Sequence, residues 1–223
     1  MRSRYILFFA VICGTLHAQT SSFSSLEINA NTTFYLLDRG ASVEYENAFN
    51  HGFSAIIYRE MSDRMKLGLG INYGTKNYYY EVEPTSNNQL LKQECFIMQR
   101  NIPILFIYDF AHLEKYRFQF INGLVVNKII DYDVNRIYKN GTVERYRDVE
   151  TNQKPGFSYN LGFGFSRQLN EKIILKTNVY MHYKLIMDFD RDRPHFTNLL
   201  EDRFSFGLGL GLEYKFNNSL WNK

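Results

Sequence analysis

The stretch Arg203 to Phe216 constrains this chain more than any other. Phe204, Phe206, Leu208, Leu210, Leu212, Tyr214 and Phe216 take every second position. Arg203, Ser205, Gly207, Gly209, Gly211, Glu213 and Lys215 take the positions between. A period of two places the sets on opposite faces of a strand. One face is mostly glycine and ionic; the other is aliphatic with aromatics at both ends. That pairing suits a strand with lipid outside, a crowded interior inside and an aromatic girdle at each interface.

The same pattern recurs along the chain. In a first strand, Ser25 to Leu37, Leu26, Ile28, Ala30, Thr32, Phe34 and Leu36 oppose Glu27, Asn29, Asn31, Thr33 and Tyr35. A second, Gly52 to Met61, alternates weakly because Ile56, Ile57 and Tyr58 run together. A third runs from Lys66 to about Tyr80, with Leu67, Leu69, Ile71 and Tyr73 set against Gly68, Gly70, Asn72 and Gly74. Tyr78, Tyr79 and Tyr80 read as part of an interface girdle. The fourth, about Leu91 to Phe110, has Ile102, Ile104, Phe106, Tyr108 and Phe110 outward and Gln99, Asn101 and Asp109 inward. Pro103 lies inside it, and a missing ladder donor there predicts a bulge. The fifth starts near Arg117, with Asn122 interrupting its apolar face. The sixth, Gly156 to Gln168, and the seventh, Lys172 to Asp188, alternate cleanly. The opening stretch is the eighth.

Long and short connections alternate between these strands. The longest, Asp131 to Gln153, contains Asn140-Gly141 between β-formers, a strong hairpin signal. It predicts a ribbon continuing the wall above the membrane. Long external loops, short periplasmic turns and an even strand number define the expected fold class. It is an all-β, eight-stranded antiparallel up-and-down transmembrane β-barrel with both termini in the periplasm. Arg59 falls in the outward phase near a periplasmic end, and Arg100 and Lys128 near external ends, where basic side chains snorkel.

The N-terminus predicts export. Met-Arg-Ser-Arg, an apolar run from Tyr5 to Gly14 and a small residue at Ala18 read as a signal peptide over residues 1–18. The run is about half the ~20 residues of a spanning helix. Residues 19–223 then form a single barrel domain. Removing Arg2 and Arg4 leaves 24 basic against 23 acidic residues, so the charge gives no sign of a nucleic-acid partner. Cys13 leaves with the leader, and Cys95 alone cannot form an internal disulfide.

Phe53-Ser-Ala-Ile-Ile-Tyr-Arg-Glu-Met-Ser-Asp-Arg-Met-Lys-Leu-Gly-Leu-Gly-Ile-Asn-Tyr-Gly resembles the second hairpin of the PorT-like outer-membrane β-barrel domain of Gram-negative Bacteroidetes. Asn101-Ile-Pro-Ile-Leu-Phe-Ile-Tyr resembles that family's strand with an Ile-Pro-aliphatic run. The resemblance spans most of the mature chain. It implies a barrel of the OmpA/OmpX size class and a link to a secretion machine. It transfers no catalytic residue. One departure is the tail Asn217 to Lys223 after Phe216, where such barrels usually end on the terminal aromatic.

The inward set includes Glu27, Glu60, Lys66, Lys76, Asp109, Arg117, Lys172, Lys176, His182, Lys184, Arg203, Glu213 and Lys215. An eight-stranded barrel has room only for its side chains. These charges are expected to pair into an internal network, the alternative being a narrow ion path. Asp188, Asp190 and Asp192 place three carboxylates at alternate positions and are weak candidates for a cation site. Arg193 stands where an EF-type loop needs glycine, Leu199 where it needs a bidentate Glu, and Arg191 and Arg193 can neutralise the acids. His51 and His195 are expected in external loops, His112 in a periplasmic turn and His182 inside. No serine is spaced to pair with any of them as nucleophile and base.

The expected function is therefore non-catalytic and cofactor-free: structure, envelope assembly or secretion, or binding through Asp131 to Gln153 and Asp188 to Asp202. Expected partners are outer-membrane lipid, the barrel-assembly machinery and an envelope or secretion-system protein. The alternatives are a lipid-modifying outer-membrane enzyme and a soluble secreted barrel holding a small ligand.

Overall fold

The computed structural model describes residues 23–36, 43–45, 49–82, 89–148, 155–186 and 204–216. The leader, the Asp188, Asp190 and Asp192 cluster and the tail from Asn217 lie outside the described residues. Ten strands are described: β1 Ser25–Leu36, β2 Val43–Tyr45, β3 Phe49–Ser62, β4 Met65–Val82 and β5 Leu90–Leu113; then β6 Tyr116–Tyr138, β7 Val143–Asp148, β8 Gly156–Gln168, β9 Ile173–Ile186 and β10 Phe204–Lys215.

Eight of them close on themselves in the order β1, β3, β4, β5, β6, β8, β9, β10, every pair antiparallel. The expected eight-stranded barrel is therefore the observed one. Its shear follows from the register. Partner by partner, Phe204 leads to Tyr183, Tyr159, Leu124, Ile104, Leu69, Ile57, Leu26 and then Tyr214. One circuit thus returns ten residues along the starting strand. For eight strands that shear sets a tilt of about 40°. Ten residues then rise about 25 Å along the barrel axis, the height of a lipid-facing band.

The outer surface of that band is apolar. Ile28, Phe53, Phe163, Leu208, Leu210 and Leu212 are each more than half exposed, which soluble proteins avoid over a contiguous surface. Tyr116, Phe118 and Phe165 gather at its lower edge, with ring centroids 5.4–5.6 Å apart. Tyr183 and Phe204 meet at the upper edge, 4.9 Å apart. Asn122 also faces outward, between Phe106 and Leu161, and nothing in the structure explains it.

Three expectations need correction. Pro103 makes no bulge. The β4–β5 ladder skips the positions opposite Gly70 and Ile71 and resumes at Asn72–Asn101 in the same register. Proline removes hydrogen bonds to one neighbour only, while Pro103 stays opposite Val125 on the other side. The β5–β6 register shifts lie elsewhere, at Leu90/Lys92, Met98/Gln99 and Asp109/Ala111. Second, β3 alternates fully: Ser54, Ile56 and Tyr58 point in, and Phe53 and Ala55 point out. Third, Tyr78, Tyr79 and Tyr80 belong to a part of β4 that runs past the band, paired with β2 and the outer end of β5.

Candidate functional site: the barrel interior and the external sheet

The lower half of the lumen holds an ionic cluster. Lys176 Nζ donates to Glu27 Oε2 at 2.6 Å and lies 3.4 Å from Glu213 Oε2. Lys66 Nζ donates to Glu213 Oε1 at 2.7 Å. The Tyr58 hydroxyl donates to Glu27 Oε2 at 2.6 Å, and Ser25 Oγ to Glu213 Oε1 at 2.6 Å. The Lys176 ammonium also stands 4.5 Å from the centre of the Tyr58 ring. Two lysines thus face two glutamates, every member is buried, and the group has no net charge. Beside it, Asp109 accepts from Arg117 at 3.1 Å and from Gln119 at 2.7 Å.

The strands place these groups because their glycines leave room. A Cβ on Gly68 would sit 2.6 Å from the Tyr58 ring, and one on Gly207 would sit 2.0 Å from the Tyr180 ring. Each aromatic therefore lies flat over a cross-strand glycine. Ile56, Tyr58, Leu105, Ile107 and Ile121 form an apolar layer against the ionic cluster. Sequence alternation alone missed that layer. The unbroken apolar runs through Ile56 and through Ile104 to Ile107 carried the signal, since they leave neither strand face polar.

The predicted inward charges separate by burial. Glu27, Lys66, Asp109, Lys176 and Glu213 are buried; Arg117, paired with Asp109, is half-buried, as are Lys184 and Lys215. Glu60 and Lys172 are exposed at strand ends beside the β3–β4 and β8–β9 turns, where water solvates them. Arg203 and the Lys76 side chain lie outside the described residues. His182 points inward and lies 4.9 Å from the Tyr180 ring. His51, expected in a loop, is on β3, with Nδ1 3.1 Å from Thr32 Oγ1. His112 sits beside the β5–β6 turn, its Nε2 3.0 Å from the Glu114 carbonyl oxygen. Register brings Ser205 opposite His182 inside the barrel. Among the described residues no hydrogen bond joins them, and neither faces lipid. No group of three or more metal-ligating side chains occurs among the described residues.

Above the band, the wall continues on one side only. β2, the outer ends of β4 and β5, the end of β6, and β7 pair in that order into a five-stranded external sheet. The expected ribbon is its far edge. Asn140 and Gly141 form the turn, Gly141 at φ +81°, and β7 folds back on β6. Arg147 Nη2 donates to Asp131 Oδ2 at 2.7 Å, and Arg145 forks onto Asp133. These hydrogen bonds hold both carboxyls below the usual carboxylate range.

No protein-family model and no curated protein matches the chain. Solved structures do. The major outer membrane protein from Thermus thermophilus is 10% identical, covering 86% of this chain and 99% of its own, with a TM-score of 0.51. The attachment invasion locus protein Ail of Yersinia pestis is 12% identical, covering 86% and 97%, with a TM-score of 0.44. The N-terminal β-barrel domain of Pseudomonas aeruginosa OprF is 17% identical, covering 87% and 98%, with a TM-score of 0.41. At such identities the first likeness extends to the fold and no further.

Proposed function

We propose that this protein is an integral outer-membrane barrel, sealed inside, whose working surface is the external sheet. The supporting observation is the continuous band of exposed aliphatic side chains around a closed wall, bounded by aromatics. Lipid is the partner that satisfies such a surface. The Thermus protein, described as a major outer membrane protein, supports the same location. The neutral ionic cluster and the apolar layer fill the lower lumen, which favours a plug over an ion path. Work is then left to the external sheet, whose β7 edge presents Val143 and Tyr146, both about half exposed. An edge strand of this kind pairs readily with an extended segment of a partner.

On this reading the periplasmic termini and short turns meet the barrel-assembly machinery, and the external sheet binds an envelope or secretion-system protein. Membership of the PorT-like barrels is part of the proposal. The quoted Phe53–Gly74 stretch supports it by forming one hairpin, β3–β4.

The test is expression with the leader, isolation of the outer-membrane fraction and gel mobility with and without boiling. A protease site inserted after Asn140 is probed on intact cells in parallel. The expected result is a band that shifts only on boiling and a site cut from outside. A soluble periplasmic protein with no shift overturns the reading.

A further inference from the structure

Above the ionic cluster the lumen is lined by amides. Two adjoining cavities, of about 60 and 40 Å³, share Asn31, Asn72, Asn101, Tyr180 and His182. The side-chain oxygens of Asn29, Asn72, Asn101, Asn160 and Asn178 are buried there and accept no hydrogen bond. They come from five different strands, β1, β4, β5, β8 and β9. Asn29, Asn160 and Asn178 are more than nine-tenths buried. Asn29 is held this way round because its Nδ2 donates to Glu27 Oε1 at 3.3 Å; turning the other amides over only exchanges an acceptor for a donor. Buried groups of this kind are partnered in folded proteins, by protein or by ordered water.

Chemistry and size select the partner. No carboxylate lines either cavity, which disfavours a divalent cation. The volumes are far below the roughly 300 Å³ at which pockets for organic ligands begin. At roughly 10–15 Å³ each, about four to six waters fit the first cavity and about three to four the second. Cavities that stay dry are lined by apolar groups throughout, whereas five asparagine oxygens without a protein partner break this lining.

We propose that the external half of the lumen is a water-binding chamber. A cluster of ordered waters, held by Asn29, Asn160 and Asn178 and reaching Asn72 and Asn101, takes the place of a packed core. The ionic cluster and the Ile56–Tyr58–Leu105 layer close it from below. The barrel is wet in one half and dry in the other.

The test uses the full-length mature barrel, isotope-labelled and folded in detergent micelles. Nuclear Overhauser transfer from water to the side-chain amides of Asn29, Asn160 and Asn178 is measured. The expected result is transfer with the sign of long-lived bound water, lost at the neighbouring amides in Asn160→Leu/Asn178→Leu. Two wild-type measurements keep the test decisive if that variant does not fold. Xenon leaves these resonances unmoved if the chamber is hydrated, and a saturable xenon shift overturns the proposal in favour of a dry cavity. A saturable shift with potassium or thallium(I) overturns it in favour of a monovalent cation site. Absence of transfer at all three amides also overturns it.

Discussion

At the scale of single residues, the lumen is decided by pairing. Lys176 is enclosed by Glu27, Glu213 and the Tyr58 ring with no exposed surface. Removing one member of a buried ion pair strands the other's charge and costs about 3–5 kcal/mol. Lys176→Met is therefore expected to lower the unfolding free energy of the micelle-folded barrel in urea by about that amount. Glu27→Gln/Lys176→Met leaves the neutral Lys66–Glu213 pair intact and should cost clearly less than the two single substitutions together. Additive losses would mean that the two residues do not act as a pair. The sequence placed both groups on the inner face by alternation. It did not show which carboxylate meets which lysine, because residues 149 positions apart meet only through barrel closure.

At the scale of elements, the β6–β7 ribbon was legible because its signals are local. Asn-Gly supplies the positive φ that a tight hairpin turn requires, and Gly141 adopts it. The ribbon's acid sensitivity follows from Asp131 and Asp133, held down first by hydrogen bonds from Arg147 and Arg145 respectively. A carboxyl with a folded pKa below its unfolded value stabilises above the unfolded value, near 4. That contribution is lost as pH falls through the folded value. Protection factors for hydrogen exchange at the β7 amides, corrected for the intrinsic pH dependence, should therefore fall below about pH 4 while β10 stays protected. Arg145→Ala/Arg147→Ala should give faster exchange already at neutral pH, by about two- to fivefold for such exposed pairs. Equal exchange in the variant and the parent would remove the arginines from the account. Pro103 shows the opposite case. Its missing donor was plain in the sequence, but whether the strand bulges or skips two ladder positions depends on the neighbour across it.

At the scale of the whole molecule, the lipid-facing band sets the tolerance to charge. Leu210 lies midway along the β10 alternation and is 57% exposed. Leu210→Arg is expected to destabilise the barrel in lipid vesicles by about 2–4 kcal/mol, with a much smaller effect for an arginine at the band edge in place of Phe216. Equal effects at the two depths would contradict a membrane band at that height. The sequence by itself determined the fold class, the eight wall strands, the outward aliphatic set and the hairpin at Asn140. Each follows from period-two alternation and turn chemistry, which act between near neighbours along the chain. Only the tertiary structure decided the shear of ten, the partners inside the ionic cluster, the apolar layer beside it, the one-sided external sheet and the asparagine chamber. Those depend on register between strands, and register places side chains far apart in sequence against one another only once the sheet has closed.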